Sequence, residues 1–115
     1  MDWKTPCLLL IPLSLLASSL QAAELAGRIW FDNNKQPARN VRVAIICEGN
    51  QRFESRTDNY GFYRRPGLPA KQSCYIIIDD GQHYSAPLRF YSGQGRDTQN
   101  FALLLQADKL IVRKR

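Results

Sequence analysis

The sequence predicts an all-β protein, a small antiparallel β-sandwich of about seven to eight strands that follows a cleaved signal peptide. Three observations support this prediction. Apolar and polar residues alternate with period two, turn residues recur at intervals of about ten positions, and no apolar stripe of helical period occurs beyond the N-terminal segment. A chain of 115 residues has room for one such domain.

The N-terminal segment is apolar but short for a membrane span. Residues 7–20 read CLLLIPLSLLASSL, about 14 residues without a charge, and Lys4 precedes them. The small residues Ala22 and Ala23 follow, as expected of a secretory signal peptide cleaved after one of them. We therefore expect residues 1–23 to be a signal peptide and the mature chain to be exported, periplasmic or secreted, without an integral membrane span. A retained anchor is the alternative.

Two of the three cysteines, Cys47 and Cys74, lie in the expected mature chain. An even pair in a small exported chain favours one disulfide, whose loop closure would stabilise the fold by about 3 to 4 kcal/mol. A Cys-based metal site is the alternative, but His83 is the only histidine. The pair Asp79-Asp80, followed by a glycine, favours a turn over a calcium site. We therefore expect the disulfide and no metal or cofactor.

Strands are predicted between turn-rich segments. In chain order they cover residues 25–31, 41–46, 52–57, 62–64, 74–78, 87–91, 100–106 and 109–115. The strand 74–78 (CYIII) is apolar throughout, which is typical of a central position in a sheet. Pro66, Gly67 and Pro69 are expected to interrupt the chain before it, and residues 92–95 to form a loop.

The segment Thr57–Phe62 (TDNYGF) resembles the turn motif Thr-Asp-x-x-Gly-aromatic of the carboxypeptidase regulatory-like domains. These are transthyretin-like β-sandwiches related to the collagen-adhesin B-type repeats. Gly27-Arg28-Ile29, Leu68-Pro69-Ala70 and the strand with Phe101 agree with the family in order and spacing. The resemblance implies a domain over residues 24–106, which leaves residues 107–115 as a basic edge strand or tail.

Four residues of this turn, Thr57, Asp58, Gly61 and Phe62, have structural roles. The Asp58 carboxylate can accept backbone N–H groups, Gly61 can adopt positive φ, and Phe62 is expected to enter the core. The family also places Tyr75 and Ile77 inward. That placement puts Cys74 on the outer face, in conflict with the inward phase of Cys47.

The residues do not supply the chemistry of enzymes related to this family. Zinc carboxypeptidases need paired histidines with a carboxylate, and this chain has only His83. Hydroxyisourate hydrolases of transthyretin type end in Tyr-Arg-Gly-Ser, whereas this chain ends in Arg113-Lys114-Arg115. Ser85 has no nucleophile-elbow motif around it. We expect no enzyme and no catalytic residue; a hydrolase with an unrecognised site is the third hypothesis.

Charge and aromatic residues are the two clues to a binding function, and a cationic surface without a specific partner is the alternative. The net charge is +6, which suits an anionic surface or an envelope polysaccharide, and no nucleic-acid-binding motif is present. Arg28, Trp30, Tyr63 and Tyr84 are expected to be exposed and to contact a ligand. The leading hypothesis is a non-catalytic module that binds a protein or an envelope component. The alternative is a carbohydrate-binding module that uses these aromatic side chains.

Overall fold

The computed structural model describes residues 22–115, so residues 1–21 of the expected signal peptide lie outside the described residues. Within the described range, no helical segment has the length and apolar character that a membrane crossing needs. The strands of this part of the chain are β1 (Ala22–Phe31), β2 (Arg42–Cys47), β3 (Gln51–Arg56), β4 (Phe62–Pro69), β5 (Gln72–Asp79), β6 (Leu88–Ser92), β7 (Gly95–Thr98), β8 (Phe101–Gln106) and β9 (Lys109–Lys114). A short 3-10 turn, Glu48–Asn50, joins β2 to β3.

The strands form two sheets packed face to face. One has the order β4-β1-β8-β9, with β7 also paired to β1, and the other has the order β3-β2-β5-β6. Buried apolar side chains of both sheets fill the space between them, among them Leu25, Ile29, Ile45, Ile76 and Phe101. The predicted all-β sandwich is confirmed, and β5 has the predicted central position in its sheet.

Strand number and direction differ from the prediction. The described chain has nine strands, and β1 pairs in parallel with both β7 and β8. Strand β7 follows the predicted loop 92–95, in residues that the sequence assigns to no strand, because it has no apolar residue to mark it and is defined by its pairing with β1. Strand β4 continues through Pro66 to Pro69, since an edge strand tolerates proline where its backbone needs no partner.

The predicted disulfide between Cys47 and Cys74 is confirmed. The two residues lie directly opposite each other on β2 and β5, and both are buried between the sheets. Cys74 therefore faces inward like Cys47, in contrast to the outward position that the family pattern gives it. Ile76 and Ile78 share the inner face with Cys74, whereas Tyr75 is 43% exposed. Ile77 has the same outward phase as Tyr75 and is half-buried, so the inward placement of both residues is wrong.

The Thr57–Phe62 turn has the expected hydrogen bonds but not the expected core residue. Asp58 Oδ1 accepts the N–H groups of Tyr60 and Phe62, both at 2.9 Å, and Gly61 has φ +85°. Thr57 Oγ1 accepts the Val41 N–H at 2.8 Å. Because Gly61 itself occupies a buried position, the next inward position in the strand is that of residue 63. Phe62 is 52% exposed, which contradicts the predicted anchoring role.

A junction at Gly27 lets β1 take two partners on one edge. Residues 23–26 pair with β7 and residues 29–31 pair with β8, so the strand pairing is interrupted at Gly27 and Arg28. A Cβ atom at position 27 would overlap the Gln99 carbonyl oxygen. That oxygen accepts the Tyr63 hydroxyl at 2.7 Å, and Asn100 Oδ1 accepts the Arg28 N–H at 3.0 Å.

The ends of the sandwich differ from the predicted boundaries. Strand β9 pairs with β8 along its whole length, and Leu110 is buried, so the domain extends beyond residue 106. Of the two options for residues 107–115, the structure has the edge strand. Ala23 is buried and pairs with Leu68 on β4. Cleavage after Ala22 would keep this buried alanine, whereas cleavage after Ala23 would remove it.

Gly27→Ala is expected to lower the free energy of unfolding by more than about 3 kcal/mol, because a backbone atom already occupies the space of the new methyl group. The matched control is Gly93→Ala, where the nearest atom lies 3.9 Å from the position that the new methyl group would take. The control should change stability by less than about 0.5 kcal/mol. Urea unfolding checks both values, and equal midpoints for the two variants would contradict the junction.

Candidate functional site

The two long sides of the sandwich are built differently. On one side β3 and β4 are joined by Ser55 Oγ, which donates to the Arg64 carbonyl at 2.8 Å, and by Arg65. The Arg65 guanidinium lies 5.3 Å from the centre of the Phe53 ring. On the other side, β6 and β9 are the edge strands of their sheets, and no strand of the described chain pairs with their outer edges. One side is therefore closed and the other is open.

The open side carries a groove of about 720 Å³ between β9 and the loop that joins β5 to β6. Its lining residues are Gln82, His83, Tyr84, Ser85, Ala86 and Leu88 on one wall and Asp108, Lys109, Leu110, Ile111 and Val112 on the other. The second wall thus consists mainly of one edge strand with aliphatic side chains. A groove of this size and composition suits part of a polypeptide or another partly apolar ligand.

Hydrogen bonds within the β5–β6 loop fix its shape. Asp80 Oδ1 accepts the N–H groups of Gln82 at 2.8 Å and His83 at 2.7 Å. Ser85 Oγ accepts the Ile78 N–H at 3.0 Å, and the Ser85 N–H donates to the Ile78 carbonyl at 2.8 Å. Ser85 is buried by this double contact. The loop is therefore an ordered turn with side-chain caps at both ends.

Two rings of this loop face the groove in different ways. The Tyr84 side chain is 75% exposed and makes no hydrogen bond to a described residue. His83 is half-buried, and its Nδ1 atom is buried without a hydrogen-bond partner among the described residues. Asp80 Oδ2 is 3.9 Å from that nitrogen, beyond hydrogen-bond distance. The groove thus offers an exposed aromatic ring, while the unpartnered nitrogen of His83 lies below its surface.

The four predicted ligand-contacting residues do not form one site. Arg28 and Trp30 lie on the outer face of β1, where Arg28 Nε donates to the Tyr60 carbonyl at 3.1 Å. The Arg28 guanidinium also covers the Phe62 ring at 5.3 Å. Trp30 is half-buried opposite Ala102 of β8. Tyr84 lies on the open side, on a different surface.

The fourth predicted residue, Tyr63, is buried, so its predicted exposure is wrong. Its hydroxyl belongs to the Gly27 junction, and burial raises the pKa of this hydroxyl. Its ring is 3% exposed, so it cannot stack on a ligand. Tyr63 faces inward rather than outward because Gly61, two residues earlier in the chain, already occupies an inward position.

The outer face of the four-stranded sheet carries two exposed tyrosines, of which the family resemblance places Tyr75 inward. Tyr75 lies beside Ile46 on one neighbour and Arg89 on the other, and Tyr91 follows on the same side of β6. Tyr91 is 61% exposed. Alternation counted from Cys74 places Tyr75 outward, so the disulfide is the sequence signal that could have found this surface.

Ion pairs rather than metal sites occupy the acidic side chains near these surfaces. Arg42 pairs with Glu54 and with Asp79, each at 3.0 Å, and a hydrogen bond from the Gly81 N–H, followed by Arg42, lowers the pKa of Asp79. Glu24 lies between two arginines, and the hydrogen bond from Arg64 lowers its pKa. Among the described residues, no three His, Cys, Asp or Glu side chains form a metal-ligand cluster.

No family model and no curated protein matches the chain. Among solved structures, a candidate carbohydrate-binding protein from Bacteroides uniformis is similar at 12% identity, with a TM-score of 0.52 over 80% of this chain and 53% of that chain. Catechol 1,2-dioxygenase from Acinetobacter sp. ADP1, with bound mercury, has 14% identity and a TM-score of 0.47 over 82% of this chain and 50% of that chain. The chain spans about half the length of both proteins. At this identity, the first likeness shows the fold alone.

Asp79→Asn is expected to weaken the dependence of stability on acid pH. Because the folded-state pKa of Asp79 is lowered, its contribution is present at neutral pH and is lost as the pH falls through that pKa, below about pH 4. The variant should be less stable at neutral pH by up to about 1 kcal/mol, with the difference disappearing in acid. Urea midpoints across the acid range measure this, and Asp108→Asn, which removes a carboxylate with no ion pair among the described residues, is the matched control. A constant difference between parent and Asp79→Asn would contradict the assignment.

Proposed function

We propose that this chain is an exported, non-catalytic β-sandwich module that binds a protein of the cell envelope in the groove between β9 and the β5–β6 loop. The open side of the sandwich is the observation that carries the proposal. We also propose that the module is of the carboxypeptidase regulatory-like type. The Asp58 and Gly61 turn supports this membership, whereas the outward Tyr75 and Phe62 depart from the family pattern.

The groove has the features of a protein-binding surface. Its floor and walls include Leu88, Leu110 and Val112, so a partner would gain free energy by covering apolar area. Tyr84 adds a rigid ring with a polar hydroxyl, a combination that is frequent at energetic centres of protein interfaces. The hydrogen-bonded loop fixes the backbone that carries this ring without a partner, so little backbone entropy would be lost on binding.

The groove does not favour hydrolysis, although His83 and Ser85 both line it. Ser85 Oγ is buried and already accepts the Ile78 N–H, so it is poorly placed to attack a substrate. The Asp80 carboxylate caps the loop with Oδ1, and its other oxygen is 3.9 Å from His83. This arrangement supports a binding role over a Ser-His-Asp mechanism.

The cross-link supports export. A buried disulfide between Cys47 and Cys74 persists in an oxidising compartment, such as the periplasm or the extracellular space, and is rare where thiols are kept reduced. Together with the apolar N-terminal segment of the sequence, it is consistent with a module that acts in or beyond the envelope.

The Tyr84→Ala variant is expected to lose its binding to the partner protein. The experiment uses the full mature protein as bait for the envelope fraction of the cells that produce it. Tyr60→Ala is the matched control, because Tyr60 is 69% exposed but lies in the Thr57–Phe62 turn, away from the groove. A protein retained by the parent and by Tyr60→Ala should be lost from Tyr84→Ala. With that partner purified, the dissociation constant should rise by about tenfold or more.

Equal retention by both variants would contradict the groove as the binding site. Turnover of ester or amide substrates that is abolished by His83→Ala would overturn the non-catalytic proposal.

A carbohydrate ligand is the second candidate. It is favoured by the exposed Tyr75 and Tyr91 beside Arg89, because aromatic rings on a flat sheet can stack on sugar rings. Arg28 and Trp30 form a second patch of the same composition on the other sheet. The similarity of the fold to the candidate carbohydrate-binding protein of Bacteroides uniformis is compatible with this interpretation.

Under the leading proposal, a glycan array probed with the mature protein should show no specific sugar. Specific binding that is lost in Tyr91→Ala or in Trp30→Ala, and kept in Tyr84→Ala, would favour the carbohydrate module instead. Thermal unfolding of each variant separates loss of binding from loss of fold, and exposed Tyr91 should be the more tolerant position.

A further inference from the structure

The free edge of β9 presents unpaired backbone groups along the groove. The Arg115 N–H donates to the Asn100 carbonyl at 2.8 Å, and antiparallel pairs exchange hydrogen bonds at every second residue. Ile111 and Arg113 are in the same phase, so their backbone groups point toward β8. The residues of the opposite phase, which point their N–H and C=O groups to the free edge, are Leu110, Val112 and Lys114. This edge is a template for one more strand.

The two faces of β9 have different chemistry. Leu110 and Val112 point toward the core and the groove, where Leu110 is buried and Val112 packs against the core. Lys109, Ile111 and Arg113 point to the outer face of the sheet. An added strand would therefore meet mainly aliphatic groups on one side, where Lys114 follows Val112 at the end of the strand, and mainly cationic groups on the other.

The cations of β9 have no acidic partner among the described residues. Ion pairs of the described chain include Arg115 with Asp32, but none includes Lys109, Arg113 or Lys114. Strand β9 itself contains no acidic residue. Positive charge along an edge strand repels a second identical edge, because paired strands lie only about 5 Å apart. The same charge attracts an acidic strand.

We propose that an extended acidic segment of a partner protein adds to the free edge of β9 as a further strand of the five-stranded sheet. Its backbone pairs with Leu110, Val112 and Lys114. Its acidic side chains lie beside Lys109 and Arg113 on the outer face, and its apolar side chains alternate with them and enter the groove below Tyr84. This inference rests on the proposed function and names the chemistry of the partner.

The length of β9 sets the length of the recognised segment. Six residues of strand, at about 3.4 Å each, pair with six residues of a partner, so a segment of about seven residues spans the whole edge. The probe is therefore a synthetic peptide of about seven residues that alternates valine and glutamate, blocked at both ends. The full mature protein with its disulfide intact should bind it, with affinity measured by fluorescence anisotropy of the labelled peptide.

Backbone methylation of the peptide tests strand addition directly. An added strand uses the N–H groups of alternate residues to reach β9, and its remaining N–H groups point away. N-methylation of one alternate set should abolish binding, whereas methylation of the other set should be tolerated. In the protein, amide exchange at Leu110, Val112 and Lys114 should slow by about tenfold or more on binding. Exchange at Ile111 and Arg113 should already be slow in the free protein.

Charge reversal provides the matched protein variants. In the double variant Lys109→Glu and Arg113→Glu, the affinity for the glutamate peptide should fall by about tenfold or more. The same variant should bind a peptide that has lysine in place of glutamate. Arg39→Glu is the control, because Arg39 is exposed, has no ion pair among the described residues and does not line the groove. The recovered binding of the lysine peptide shows that the reversed variant is folded.

Each other outcome overturns the proposal. Equal tolerance of both methylated sets, or peptide binding without protection of the three edge amides, excludes strand addition. If the protein does not bind the peptide but still retains its envelope partner in a way that depends on Tyr84, strand addition is excluded and the proposed function stands. Edge protection that depends on protein concentration without peptide shows a second copy on β9 and refutes the charge argument.

Discussion

Strand β1 takes two successive parallel partners on one edge, and Gly27 is the residue that permits it. The Gln99 carbonyl lies where a side chain at position 27 would be, and the Gln99 N–H donates to the Ala26 carbonyl at 2.9 Å. Tyr63 from the neighbouring strand supplies a hydroxyl to the Gln99 carbonyl, and Asn100 replaces the missing backbone acceptor for Arg28. The junction therefore joins the backbones of β1, β4 and the β7–β8 connection in one hydrogen-bonded unit.

This junction also determines where the surface is free. Because β8 continues along the edge of β1, the hairpin partner β9 becomes the end of the sheet, opposite the edge strand β6. The other side is covered by contacts between β3 and β4, which include Ser55 and Arg65. A groove with one wall of strand and one wall of loop thus follows from the order of the strands. The loop adds Tyr84 and His83 to it without changing the core.

The sequence contains enough information for the fold class but not for the phase of every strand. Alternation identifies β2, and a continuous apolar run identifies β5. The cysteine count predicts the cross-link between them. These signals can be read from short stretches of sequence and from the number of cysteines. The predicted positions of Phe62 and Tyr63 are reversed: Tyr63 is buried and Phe62 is exposed. Alternation with period two does not say which residues of a strand face the core, and here the buried Gly61 sets the phase. Strand β7 has no apolar signal and depends on a partner far away in the chain. Of the predicted ligand residues, Tyr84 lies in the groove, while the β9 edge becomes visible only from the strand order.

The Cys47–Cys74 bond connects neighbours within one sheet, while β1 and β9 at the two ends of the described chain belong to the other. A mechanical load between those ends would run to Cys47, cross the sulfur atoms and leave from Cys74. The intervening chain, with a sequence separation of 27, would carry no tension even after the sandwich opened. In the oxidised protein this length is withheld from extension, so a tether made from this domain would be shorter and stiffer than its residue count suggests.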